Sequence, residues 1–168
     1  GAPLFMMLGR LFTFIGGDYP ESAAYMVNLM SALSSSFTIL FLFWSITMIA
    51  KKIMLTNDGN IFEWKKNILN KNEVRPTTLS AGQKWAVLGS GIIGGLAYTF
   101  TDSFWFSAVE GEVYAMASLF TAIVFWAILK WDDEIRHKQA MLLETGKSSL
   151  RWIILIMFVL GLAIGVHL

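Results

Sequence analysis

Long uncharged runs alternate with short charged stretches along the chain. Residues 22–50 carry no charge, and Lys51-Lys52 close the run. A helix rises about 1.5 Å per residue, so roughly 20 apolar residues cross about 30 Å of hydrocarbon. On that measure 23–50 reads as a membrane span, the clearest of the chain. Residues 85–100 and 113–129 are uncharged as well, and they predict spans over 85–107 and 113–131. A further span is expected over 152–168. Residues 1–17 are apolar and aromatic with Arg10 as their one charge, too short to cross comfortably. They predict a juxtamembrane helix lying at the interface and stopped by Gly16-Gly17, with the end of a preceding span as the alternative.

The polar stretches separate these runs. Within 51–84, Ile61, Trp64, Ile68 and Leu69 recur at helical spacing beside Lys65, Lys66 and Lys71. Either a short amphipathic surface helix or a solvated basic loop fits that pattern. Pro76 pushes Arg75 out of helix, and Ser80-Ala81-Gly82-Gln83 has the spacing of a capping box that starts the next one. Gly91-xxx-Gly95 and Gly161-xxx-Gly165 predict close approach of a neighbouring helix. A phosphate-binding glycine loop is rejected for Gly89, Gly91, Gly94 and Gly95, since it needs a strand before it. Asn28, Ser31 and Ser34-Ser35-Ser36 read as packing residues, with a substrate-facing Asn28 as the other reading.

Composition sharpens the class. Of 168 residues 55% are hydrophobic and 15% charged, and mean hydropathy is +0.58. That excludes an ordinary soluble domain and predicts an all-α, polytopic membrane bundle. About four transmembrane helices and an outer juxtamembrane helix would make up one transmembrane domain over 1–168. Net charge is +1, so no nucleic-acid partner is expected, and the absence of cysteine excludes disulfides and thiolate metal sites. The start without methionine and the end inside an apolar run suggest a piece of a longer protein. Segments 51–84 and 130–151 hold 12 of the 13 basic residues. The positive-inside rule therefore puts loops 51–84 and 132–151 in the cytoplasm and residues 101–112 outside. Trp85, Trp131 and Trp152 would mark the inner boundary, and Tyr25, Trp105 and Tyr114 the outer one.

Candidate chemistry gathers on that outer turn. Asp102, Glu110 and Glu112 stand there without a basic neighbour. Two acids two residues apart diverge on a helix, but Gly111 between them permits a turn that brings both toward one cleft. At the rim of an apolar cleft such acids suit general acid–base work. They also suit a hard cation, Mg²⁺ or Mn²⁺, while the sequence points to no cofactor with certainty. A solvated acidic turn is the other reading. His167 lies about 22 Å beyond Trp152 along a helix, in the outer half of the bilayer and near the outer leaflet. It is a candidate for contacting a lipid phosphate or, equally, a neighbouring helix backbone. His137, among loop charges, is given no role.

Three segments carry a resemblance. They are Gly1-Ala2-Pro3-Leu4-Phe5-Met6-Met7-Leu8-Gly9-Arg10-Leu11-Phe12, the run from Ala97 to Ala115 centred on Phe104-Trp105-Phe106-Ser107-Ala108-Val109-Glu110-Gly111-Glu112-Val113-Tyr114, and Gly161-Leu162-Ala163-Ile164-Gly165-Val166-His167-Leu168. The chain resembles a large family of bacterial membrane proteins long catalogued as a domain of unknown function, placed near the protein O-mannosyltransferases in the GT-C fold class. The resemblance implies a glycosyltransferase in the bacterial inner membrane with its active site facing the periplasm. It would move a sugar, mannose by analogy, from a polyprenyl-phosphate donor to a hydroxyl of a protein or glycan. By the same resemblance Glu110 and Glu112 occupy a later-loop acid position, with Asp102 beside them, and the main catalytic acid is expected upstream of Gly1. Arg10 and His167 are the candidates for the donor phosphate. Tyr114 and Trp105, flanking the acids, are further substrate-binding candidates. The expected partners are a lipid-linked sugar, the acceptor and membrane lipids. The alternative from another class is a non-catalytic carrier or scaffold for lipid-linked sugars or partner proteins.

Overall fold

The computed structural model describes residues 2–17, 19–56, 79–140 and 146–167. They form six helices: α1 (Pro3–Gly16), α2 (Pro20–Thr56), α3 (Ala81–Thr99), α4 (Asp102–Val109), α5 (Val113–Ala140) and α6 (Gly146–His167). The amphipathic helix expected around Ile61–Leu69 and the break at Pro76 lie outside the described residues.

Local signals account for most helix ends. Pro3 opens α1, where its missing N–H costs nothing, and Gly17 closes it at φ 82°, a backbone region that favours glycine. The expected Gly-Gly stop is therefore present. Ser80 and Gln83 form the expected capping box: the Gln83 N–H donates to the Ser80 hydroxyl at 3.3 Å, and the Ser80 N–H to the Gln83 side chain at 2.9 Å. Helix α2 starts at Pro20, with Glu21 in its first turn, and continues through Lys51-Lys52.

Two helix boundaries differ from expectation. The helix expected to continue to 107 ends at Thr99, and α4 is a separate element. The reason lies in Thr101. Its hydroxyl turns back to the Tyr98 carbonyl at 2.8 Å, its own carbonyl accepts from the Trp105 N–H at 2.9 Å, and Asp102 then opens a new helix at its positive end. The second difference is in α5, which runs on through residues 132–140 instead of yielding to a loop. Asp132 with Arg136, and Glu134 with Lys138, pair at a spacing of four that suits a helix.

Helix α2 is central: α1, α3, α4 and α5 all pack on it, while α6 packs on α5 and α1. Helix α3 approaches closely at Gly91, one of the predicted pair, and at Gly94, while the other predicted glycine, Gly95, makes an ordinary contact with Ile39 at 3.6 Å. A Cβ on Gly91 would stand 2.6 Å from Thr47 Cγ2, and one on Gly94 2.5 Å from Ile46 Cδ1. The second glycine pair is half realised, since Gly165 faces Leu4 at 3.3 Å and Gly161 faces nothing within 4 Å. At one end a core of Phe5, Met30, Met116 and Val166 joins α1, α2, α5 and α6. Three of the hydroxyl residues buried in α2 are satisfied within the helix: Ser34, Thr38 and Ser45 donate at 2.8 Å to carbonyls one turn back, whereas the buried Ser31 and Ser35 hydroxyls have no partner among the described residues.

Two helical stretches, Pro20–Leu55 and Val113–Lys138, are long and apolar enough to cross a membrane, whereas Pro3–Gly16 and Leu150–Val166 are shorter. Large apolar side chains face outward along the bundle, among them Ile92, Ile93 and Leu96 on α3 and Ile154, Met157 and Phe158 on α6. Soluble monomers rarely expose apolar surface so continuously.

Candidate functional site

The three predicted acids sit at the end of the bundle that holds the Phe5–Met30–Met116–Val166 core. Asp102 opens α4, Glu110 caps its other end, and Glu112 precedes α5. All three side chains are exposed. The Glu112 N–H donates to the Glu110 carbonyl at 2.8 Å, so the backbone between them makes the tight turn expected of Gly111. The need for glycine there has another origin as well. Gly111 is not among the glycines at positive φ, and a Cβ on it would stand 2.9 Å from both Asn28 Oδ1 and Val27 Cγ1. The turn is thus seated on the first part of α2.

Aromatic side chains frame the turn. Trp105 stacks on Phe100 with ring centroids 6.4 Å apart, and buried Phe104 packs on Tyr98 at 4.6 Å. Tyr114 and Tyr98 stand at the head of a groove of about 400 Å³ that follows α2 and α5 down to Leu42 and Phe125. Thr38, Ser118 and Thr121 place hydroxyl groups along it. Sequence reasoning singled out only Tyr114 of this set. The signal was present, since Tyr114, Ser118 and Thr121 recur at helical spacing.

The phosphate candidates lie on α1 and at the end of α6. Arg10, on α1, lies over the Phe14 ring at 4.4 Å and forms no ion pair among the described residues. His167 ends α6, one residue beyond Val166 in the core, and its side chain is outside the described set. Among the described residues no group of three or more Asp, Glu or His converges as a metal site, so these acids do not by themselves form a cage for Mg²⁺ or Mn²⁺.

The opposite end is tied by ion pairs. Asp132 takes two hydrogen bonds from Arg136 Nε, both at 2.9 Å, and pairs with Lys52 of α2. Glu134 accepts from Arg151 at 2.8 Å and from the Trp152 indole at 2.6 Å, and pairs with Lys138 at 3.0 Å. Acids and paired bases therefore occupy opposite ends of one bundle.

These features define an all-α protein with two helices capable of spanning a membrane. The chain belongs to the family described as the protein O-mannosyl-transferase TMEM260 N-terminal domain, whose model matches residues 1–168. No curated protein and no solved structure matches it. The membership bears out the resemblance to the O-mannosyltransferases, and the family name implies a mannosyltransferase.

Proposed function

We propose that this chain forms part of the membrane domain of a GT-C-type glycosyltransferase that acts at the outer face of a bacterial inner membrane. Helices α2, α3, α5 and α6 are its four spans, with α1 lying along the outer boundary and the ion-paired end facing the cytoplasm. The family membership over residues 1–168 carries the reading. The outward apolar side chains and the separation of acids from paired bases support the placement.

In the proposed reaction the anomeric carbon of a sugar, mannose, leaves the phosphate oxygen of a polyprenyl-phosphate donor. It bonds to a hydroxyl oxygen of a protein or glycan. The hydroxyl proton goes to a carboxylate, the main one expected upstream of Gly1 and, within this chain, Glu110 or Glu112 with Asp102 nearby, and the donor departs as polyprenyl phosphate. Arg10 and His167 offer positive charge to that phosphate. The groove beside Tyr114 gives the isoprenoid tail an apolar track between α2 and α5.

The test is transfer by the full-length protein in membranes, with polyprenyl-phosphate mannose as donor and a hydroxyl-bearing peptide as acceptor. Transfer that falls in Glu110→Gln or Glu112→Gln supports the reading. The exposure of the three acids favours the second reading, a carrier of lipid-linked sugar. Donor binding without transfer to any acceptor would decide for it.

A further inference from the structure

A second crevice, of about 250 Å³, opens at the ion-paired end between α2 and α5, lined by Trp44, Thr47, Met48, Trp126 and Lys130. Its wall is fixed by aromatic packing. Trp126 stands against Phe41 at 5.2 Å, Trp44 at 5.9 Å and Trp152 at 5.6 Å, so the ring has neighbours on several sides. Lys130 Nζ lies 5.9 Å from the centre of the same ring.

The charges around this crevice are unequal. Lys52 and Arg136 share Asp132, and Lys138 and Arg151 share Glu134. Lys130 is half-buried, yet among the described residues it has no carboxylate partner. Lys51, exposed one turn beyond Thr47 and Met48, has none either, and exposed Asp133, one turn beyond Lys130, pairs with neither lysine. A partly desolvated ammonium is costly without an anion. The crevice thus joins an unmatched cation to an apolar, aromatic wall, where an amphiphilic anion has both halves satisfied.

We propose that this crevice binds the headgroup phosphate of an anionic phospholipid. Lys130 is its counter-charge, and the first part of an acyl chain lies against Trp44 and Met48. Lys51 strengthens the field at the mouth. The inference rests on the membrane placement proposed above and concerns the opposite end from the acids, so sugar transfer is not its readout. Cation–aromatic packing keeps the Lys130 stem in place, while surface lysines merely attract anionic lipid over a Debye length.

The experiment uses the full-length protein in neutral detergent and measures retention of phosphatidylglycerol against phosphatidylcholine, with inorganic phosphate as competitor. Phosphatidylglycerol should be preferred, Lys130→Gln should lower its retention about tenfold, and Lys130→Arg should restore most of it. Lys84→Gln, which removes an exposed lysine in the first turn of α3, should leave retention near the parental level. An unchanged thermal midpoint of Lys130→Gln in lipid-free detergent separates lost binding from lost folding. Equal retention of the two lipids, parental retention in Lys130→Gln, equal loss in Lys84→Gln, or full displacement by millimolar phosphate would each overturn the site. Extraction of the protein without detergent would instead defeat the membrane placement.

Discussion

Gly111 lies against Asn28 so closely that a methyl group in place of its hydrogen would stand 2.9 Å from the Asn28 side-chain oxygen. Val27 Cγ1 is as near, and a β-branched side chain has little freedom to turn away. Gly111→Ala should therefore lift the acidic turn from α2 and cost about 1–3 kcal/mol by overpacking. A displacement of about 1 Å at a reacting group can cost roughly 10²-fold in rate. Thermal unfolding and sugar transfer measured on the same preparation check both parts, and Val27→Ala in the same chain should restore part of each. A parental midpoint and rate for Gly111→Ala alone would mean that the turn is not seated as described.

The acids themselves separate a reacting group from a solvated loop. Loss of a proton acceptor typically costs about 10²-fold or more. A change to a surface acid is usually within about 0.5 kcal/mol of stability. Glu110→Gln and Glu112→Gln should both fold, with at least one losing most transfer activity, and Asp102→Asn should lose less. If the double variant of Glu110 and Glu112 transfers sugar at the parental rate, the site assignment fails.

Orientation can be read with single cysteines, since the 168 residues contain none of their own. Exposed Glu112 and exposed Asp133 stand at opposite ends of the bundle. Glu112→Cys is expected to label from outside intact cells, and Asp133→Cys only after the membrane is opened. Equal labelling of both from outside would reverse the argument from the basic loops.

Two glycines on α3 give opposite expectations for the same change. A Cβ on Gly91 would stand 2.6 Å from Thr47 Cγ2 and 2.8 Å from the Phe43 ring, while one on Gly89 meets nothing within 4 Å. Gly91→Ala should destabilise by about 1–3 kcal/mol. Gly89→Ala should be neutral or stabilising by up to about 1 kcal/mol, because alanine loses less backbone freedom in a helix. Midpoints of the two variants in the same detergent decide the matter; like shifts would deny the close approach of α3 to α2.

At the charged end, Glu134 is the one carboxylate to which Arg151, Lys138 and the Trp152 indole all turn. Its side chain is only 15% exposed. Glu134→Gln keeps the shape but weakens charge-assisted hydrogen bonds, and should cost about 1–3 kcal/mol. Asp133→Asn, at an exposed neighbour, should cost little. Equal effects in a denaturation series would show that α5 and α6 do not depend on this carboxylate.

Features written in short local codes were legible in the sequence. Ser80 and Gln83 announced the start of α3, Gly16-Gly17 the end of α1, and Gly91 with Gly95 the closely packed face. The break at Thr101 was not read, because an apolar run counts hydrophobic residues and gives no weight to Thr101-Asp102, the local start signal inside it. The continuation of α5 was missed for the converse reason: charges at 132–138 look like loop until their spacing of four is noticed. Of the candidate site, the acids and Tyr114 were named from the sequence. Their seating on Asn28, and the meeting of Glu134 with Trp152 across 18 positions, depend on tertiary packing, which no local pattern encodes.

The self-satisfied hydroxyl groups of α2 bear on the order in which the protein is made. Ser34, Thr38 and Ser45 each bond to their own helix, so these groups need no neighbour to be content in an apolar setting. Helix α2 also leaves the ribosome before α3, α4 and α5, all of which pack on it. Each later helix thus emerges to find its docking surface already standing, and synthesis itself becomes the assembly sequence.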